Sequence, residues 1–532
     1  MKKTQLVTSI ALAAALAITP AAMLGCSGDH YSEVNFSAQD TAYAVTSQGG
    51  SAVAYGNNIY FVNGYRGYSD SDGTANVWND VVKGALYRAQ LNGERDANNS
   101  LEFVAQADGE GIAFKYEKGK DYFDNEINVV GTTKIAPKTI GTSGYSSGGL
   151  FIYDNYAYFA SPNNEKNKGG TVQTTRTDFF MMPLSGGKPT KLYTTTEKVD
   201  TSSSPYAFYK YGGSVYLVVK EDTNIVSVKV NTSKAKADDP VIFKVGATSV
   251  YLPVKDTYYN GISTNDVEDF IYFVREVKDS DTQKAGTVIE AMRPDGSENF
   301  VVSMTNATET IEAVRDGLLF YRTTEVNETK LKYTNLHNML MEYSASYKNA
   351  QNAITDEDKK TTDITGTFPI SVSSSITSTY AFRADKNSND VYFVGVTSSG
   401  MTLYQNDDSN PVKTQTLCTT SGTPQFIKDG YLYFAGSSSD YYRTPLFESV
   451  DGDNFGEAQL LAENTSSATF GCDYAAGYFT YYAEVDQWAS GYAYFVDMTH
   501  EGAEPIFVGQ RAASDIPSQA QIDEAKGNGE TE

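Results

Sequence analysis

Three histidines (His30, His337, His500) and three cysteines (Cys26, Cys418, Cys472) are all the imidazole and thiol in this 532-residue chain. No two of them stand at the spacing of an H-E-x-x-H zinc helix or of a Cys-His pair, so a zinc centre and a histidine-based triad are not expected. Carboxylates are plentiful, 66 Asp and Glu in all. A glycoside-cleaving pair must sit roughly 5 to 10 Å apart in space, a distance that sequence does not fix. The acidic loops Asp70-Ser71-Asp72-Gly73 and Asp451-Gly452-Asp453 could offer oxygens to calcium. Neither continues into the D-x-[DN]-x-[DN]-G pattern with its distant Glu, so both read as turns stabilised by Asp and Gly. Beyond Cys26 the chain has eleven arginines, and no spacing selects three that would grip a carboxylate. The expectation is no catalytic residue, no metal and no cofactor.

Cys26 is the residue with a chemical role to read. Lys2 and Lys3 precede an Ala-rich apolar run, Leu6 to Ala22, which is too short and too weakly hydrophobic to span a membrane. The run ends in Met23-Leu24-Gly25-Cys26-Ser27, which resembles the bacterial lipobox apart from Met23, where Leu is usual. The resemblance implies a signal peptide over residues 1–25, a diacylglyceryl group with palmitate-class chains on Cys26, and an extracytoplasmic lipoprotein. Each buried methylene contributes about 0.8 kcal/mol, so two or three chains hold a protein on a membrane stably. The competing reading is cleavage near Ala21-Ala22, with Cys26 a free thiol in a secreted protein. Residues 26–39 read as a polar tether.

The elements that must position any further chemistry come from a repeat. Eight times an apolar strand, a tight turn often built on Gly or Asp, and a second strand centred on an aromatic follow one another. The copies are SAVAYGNNIYFVN from Ser51, GGLFIYDNYAYFAS from Gly148, YAFYKYGGSVYLVVK from Tyr206, DVEDFIYFVREV from Asp266, TIEAVRDGLLFYRTTE from Thr310, YAFRADKNSNDVYFVGV from Tyr380, PQFIKDGYLYFAGS from Pro424 and TFGCDYAAGYFTYYAEV from Thr469. Following text adds two strand-like segments to most copies; in the first, GALYRAQ and LEFVAQ complete the set. Four short strands per unit, divided by turn signals, predict an all-β fold. It is a single β-propeller over residues 40–511, with eight four-stranded blades or, as the alternative, seven. Most of the 39 tyrosines fall in the second-strand phrase, where packing between sheets accounts for them.

Repeat spacing is uneven: Tyr60 to Tyr158 is 98 residues, Tyr392 to Tyr433 only 41. The surplus must leave the disc as loops, one between Ala107 and Ser147 and one between Leu336 and Thr365. In the second, Leu336, Leu340, Tyr343 and Tyr347 have helical spacing, which predicts one helical insertion. These loops are the expected functional face, since long loops on a rigid scaffold carry function. Residues 512–532 read as a disordered acidic tail. By the blade register Cys418 lies in the outer strand of unit six and Cys472 in the inner strand of unit eight. That separation exceeds the roughly 7 Å a disulfide spans, so both are expected as buried free thiols.

The phrases KDGYLYF from Lys428, RDGLLFY from Arg315 and RPDGS from Arg293 resemble those of bacterial extracytoplasmic propellers related to the low-density-lipoprotein-receptor YWTD type, though the YWTD tetrapeptide itself is absent. Ser449 to Phe455 resembles a sialidase Asp-box turn, with Asp453 where that box has Gly. The YWTD-type resemblance implies a cell-envelope protein of unassigned activity. A formal charge of −24 makes nucleic acid an improbable partner and leaves membrane contact to the lipid. The resulting expectation is a lipid-anchored, non-catalytic binding or scaffold protein recognising a protein, peptide or glycan through propeller loops. The alternative is an envelope carbohydrate-active enzyme.

Overall fold

The structure is a computed structural model. It describes residues between Ala52 and Val508; segments 1–51, 63–85, 104–115, 135–149, 163–175, 254–269, 278–284, 337–364, 447–456 and 509–532, with shorter connections, lie outside the description. Among the described residues almost everything regular is strand, arranged as eight antiparallel sheets of four or more strands in consecutive chain order. The chain is a β-propeller.

Sheet one comprises Ala52–Tyr55, Asn58–Val62, Leu86–Gln90 and Thr132–Lys134. Sheet two comprises Phe151–Tyr153, Tyr156–Pro162, Thr177–Pro183 and Thr190–Thr194. Sheet three has Tyr206–Tyr211, Ser214–Glu221 and Asn224–Asn231, with Lys236–Ala237 and Val241–Phe243 sharing the outer position. Sheet four is Ala247–Tyr251, Ile271–Val277, Gly286–Met292 and Phe300–Thr305. Sheet five is Thr308–Arg315, Leu318–Glu325, Glu328–Asn335 and Thr365–Ser371. Sheet six is Ser378–Arg383, Val391–Thr397, Gly400–Asn406 and Lys413–Cys418. Sheet seven is Gly422–Lys428, Tyr431–Gly436, Tyr441–Pro445 and Gln459–Ala462. Sheet eight is Gly471–Asp473, Tyr478–Ala483, Tyr492–Asp497 and Ile506–Val508. The first strand of sheet one lies beside the first strands of both sheet two and sheet eight.

The repeated phrase is the hairpin of the first two strands. Its turn in sheet three is Gly212-Gly213, with φ of 55° and 74°, and in sheet two Asp154-Asn155, with φ of 53° and 64°. Two successive left-handed residues make the turn whose twist matches paired strands, and Gly, Asn and Asp tolerate that conformation best. The apolar residues that follow bury both faces of the second strand: in Ser214–Glu221 the five residues Val215 to Val219 are all buried. The core therefore lies between sheets. Phe179 meets Tyr206 edge-on at 4.9 Å, and Phe208 lies 5.1 Å from Tyr158 and 5.5 Å from Phe151, all across the seam between sheets two and three.

Three details differ from the sequence reading. LEFVAQ is not the outer strand of sheet one: Leu101–Phe103 pairs with Gly93–Arg95 in a separate two-stranded ribbon, and Thr132–Lys134 takes the outer position. The chain leaves the disc after its third strand and makes a second ribbon, Tyr116–Lys120 with Glu126–Val130, before returning. In unit four the inner strand is Ala247–Tyr251, paired with Ile271–Val277, and not the text just before Phe270. Asp266, Glu268 and Asp269 would have placed three carboxylates on a strand packed from both sides, whereas Ala247 is wholly buried in its slot. The outer position of unit three is divided between Lys236–Ala237 and Val241–Phe243, and the 3-10 turn Thr232–Lys234 that leads into them is capped by Asn231, whose side chain accepts from the Lys234 amide.

Cys418 is a buried free thiol at the end of the outer strand of sheet six, as the register implies. Cys472 lies in the inner strand of sheet eight. The predicted helical insertion, residues 337–364, is outside the described residues.

The RPDGS text forms the turn between the third and fourth strands of sheet four. Asp295 accepts from the Ser297 amide at 3.0 Å and from its hydroxyl at 2.6 Å, while Gly296 (φ 81°) presses against Phe243 of sheet three. A Cβ there would stand 2.3 Å from the Phe243 ring. Gly296→Ala is expected to cost about 2 kcal/mol from overpacking and left-handed strain, read as a lowered denaturation midpoint with an unchanged slope.

Candidate functional site

The polar groups that could do chemistry are gathered at the seams. Between sheets two and three, the Thr177 side chain accepts from the Val199 amide at 2.9 Å, and the Thr195 hydroxyl accepts from the Thr177 amide at 2.8 Å. Buried Glu221 accepts from Tyr193 and from the Thr196 hydroxyl, each at 2.7 Å. Burial and that bond push the Tyr193 phenol well above its ordinary value. Strand ends at the rim are thus tied across the seam by side chains, because a connection crossing from one sheet to the next leaves backbone groups that no ladder satisfies.

Arginines do the same work from another direction. Arg293, only 4% exposed, stacks on Phe270 at 3.7 Å and on Tyr211 of sheet three at 5.1 Å while donating to Glu298 at 2.8 Å. Arg315 covers the Tyr380 ring of sheet six at 3.8 Å and donates to the Ala381 carbonyl at 3.2 Å. Arg322 donates to Glu312 at 2.9 Å and to Thr379 of sheet six at 2.6 Å, and Thr379 in turn donates to Glu312. Arg275 pairs with Glu290 at 2.6 Å, and Arg443 donates to Gln459 at 2.6 Å. These guanidinium groups are engaged by the fold itself: Arg293, Arg315 and Arg322 reach to the neighbouring sheet, while Arg275 and Arg443 brace adjacent strands of their own sheets.

One carboxyl stands apart. Glu309, at the start of sheet five, is 4% exposed. Its Oε1 accepts from Ser303 of sheet four at 2.8 Å, while Oε2 has no hydrogen-bond partner. Burial raises its pKa, against smaller opposing effects from Ser303 and Lys332. A perturbed buried acid beside hydroxyls is the physical signature of a working group, though structural acids share it.

The residues singled out from sequence fall elsewhere. Cys26, His30, His337, His500, Asp70 to Gly73 and Ser449 to Phe455 all lie outside the described residues, as does most of both long insertions. Glu309 was not singled out: Glu at that point of the text, TNATETIEA, reads as an exposed strand start. No signal in the repeated phrase marks it: its counterpart in the hydrogen-bond pattern, Val199, stands in the connection after sheet two.

Neither a known family nor a curated protein matches the sequence. Solved structures are similar at the level of fold. A quinoprotein alcohol dehydrogenase-like protein from Bacteroides thetaiotaomicron is 10% identical over 66% of this chain and 88% of that one, with a TM-score of 0.32. The propeller domain of the trilobed protease from Pyrococcus furiosus is 8% identical over 80% of this chain and 100% of that one, TM-score 0.31. A structure from a study of two prolyl endopeptidases is 11% identical over 67% of this chain and 47% of that one, TM-score 0.35. The expectation of a non-catalytic binding or scaffold protein is corrected here, as is its carbohydrate-active alternative. The similar structures carry peptidase and dehydrogenase-like descriptions.

The Glu312–Arg322–Thr379 bridge yields a direct test. Arg322→Met should destabilise the protein by about 2 kcal/mol, because it strands a largely buried carboxylate. Adding Glu312→Gln should recover more than half of that loss, since no charge is then left behind. Urea denaturation of the single and double variants measures both.

Proposed function

We propose that this chain is an exported β-propeller held at the extracytoplasmic face of a bacterial membrane by lipid on Cys26. The observation that carries the reading is the basic start, the apolar run and Met23-Leu24-Gly25-Cys26-Ser27 in immediate succession. Support comes from the charge: a surface dominated by carboxylates is repelled by anionic headgroups, so a covalent anchor supplies the attraction that the protein surface withholds. Among the described residues no helix is long and apolar enough to cross a membrane.

The anchor sets a working distance. Ser27–Gln39 spans 13 residues. Fully extended, such a segment reaches at most about 45 Å. Whatever the disc meets, be it a protein, a peptide or a glycan of the envelope, lies within that reach of the membrane plus the width of the disc. The YWTD-type turn phrases fit this address, since propellers bearing them are common on cell surfaces.

Intact mass measurement and detergent-phase partitioning in a bacterial host test the reading, with Cys26→Ala alongside. The native chain is expected to begin at Cys26 with a diacylglyceryl mass and to enter the detergent phase, and the variant to lose both properties. A native chain cut near Ala22 and found in the aqueous phase would overturn the assignment.

A further inference from the structure

Glu309 occupies a slot that the fold elsewhere fills with a hydrocarbon. At the seam of sheets two and three, the Val199 amide donates to the side chain of Thr177, at the head of the third strand of sheet two. At the seam of sheets four and five, the Glu309 amide donates at 2.8 Å to the side chain of Thr287, near the head of the third strand of sheet four. The Thr287 hydroxyl in turn donates a hydrogen bond to the Ala307 carbonyl at 3.0 Å. The two latches share the accepting Thr near the head of a third strand, with Val199 in the connection that leads to sheet three and Glu309 in the first strand of sheet five. Val199 is 2% exposed and Glu309 4%, so the carboxyl sits where its counterpart is apolar and dry.

Its surroundings suit a neutral acid better than an anion. From sheet four the groups facing it are the hydroxyls of Ser303 and Thr287. From sheet five they are Tyr321 and Lys332, which interact with it electrostatically, and Thr323, its direct partner across the first strand pair. Lys330, opposite Thr323 on the third strand, pairs with Glu328 at 3.2 Å. Glu309 Oε2 and Thr323 Oγ1 are both buried and without hydrogen-bond partners. Directly opposed residues in an antiparallel pair have Cβ atoms about 5 Å apart, so a proton on Oε2 is within a side-chain adjustment of an acceptor. An ionised carboxylate could receive the Thr323 hydroxyl instead. That single charge-assisted bond returns less than is lost in stripping water from a charge.

We propose that Glu309 is a proton-operated latch on the seam between sheets four and five: with the carboxyl protonated the strand Thr308–Arg315 is held against sheet four, and on ionisation the seam loosens to let water reach the charge. The sign follows from linkage. An acid that binds its proton more tightly in the folded state gives full stability below the ordinary carboxyl range. That contribution is lost as pH rises towards the folded-state value and stays absent above it. The device tightens in acid.

Amide hydrogen exchange of the intact protein between pH 4 and 8, corrected for intrinsic rates, tests this on the native chain. Opening of Thr308–Arg315 should increase with pH by up to ~10-fold per pH unit within the titration window. The topologically equivalent strand of sheet three, Tyr206–Tyr211, should not show that rise. Glu309→Gln, an uncharged mimic, and Glu309→Val, the residue of the sheet-two latch, should each abolish the rise and exchange more slowly than wild type at neutral pH. Parallel pH profiles for the two strands in the wild type would overturn the proposal, as would a rise that persists in either variant.

Discussion

Everything in this molecule depends on the fact that a sheet packed on both faces by its neighbours has no face to spare. In an ordinary antiparallel sheet one side is solvated and alternate residues are polar. Here the second strands are apolar on both sides, as Val215 to Val219 are, because each is the filling of two seams at once. Aromatic residues supply the volume that flat sheets splayed around an axis require. Phe151, Tyr158, Phe179, Tyr206 and Phe208 form one continuous set of tilted and edge-on contacts across a single seam. Polar groups are consequently forced to the rims and connections, where Thr177, Thr287, Arg293 and Arg322 close the backbone and side-chain accounts between sheets.

That constraint explains what could be read from sequence. The eight second strands were legible because burial on two faces writes an unbroken apolar phrase, and the hairpin turns because Gly-Gly, Asp-Asn and Asp-Gly are among the few pairs that bend so tightly. The inner strand of sheet four was missed for a related reason. Ala247-Thr248-Ser249-Val250-Tyr251 is short and half polar, its ladder is interrupted by a bulge between Ala247 and Ser249, and it stands far from its partner in the text. The outer strand of sheet one was misplaced because outer strands bury less, and any short apolar segment satisfies so weak a pattern. Leu101–Phe103 qualified as well as Thr132–Lys134.

The site was less legible still. Cys26 stands out by its immediate neighbours alone, since anchoring chemistry is recognised in the extended chain. Glu309 could not stand out, because its character is given by neighbours distant in sequence, Thr287 and Thr323 among them, and by the loss of water around it. Arginine roles were likewise hidden. A composition count gives eleven candidates, and only three dimensions reveal that Arg293, Arg315 and Arg322 are committed to partners in adjacent sheets or turns.

One feature of the topology bears on how such a molecule comes into being. Each of the eight sheets takes its strands in chain order, with two ribbons intervening before the last strand of sheet one, and the described strands of sheets one and eight are not exchanged between the two ends. A growing polypeptide can therefore complete each sheet in turn, with short-range contacts that form quickly. Yet a finished sheet needs a neighbour before its newest apolar side is covered. Sheet one is the extreme case: its far side waits for Gly471–Asp473, the first strand of the last sheet to be made. That waiting surface, carried through most of synthesis, is where a nascent chain of this kind is most exposed to aggregation and to capture by chaperones.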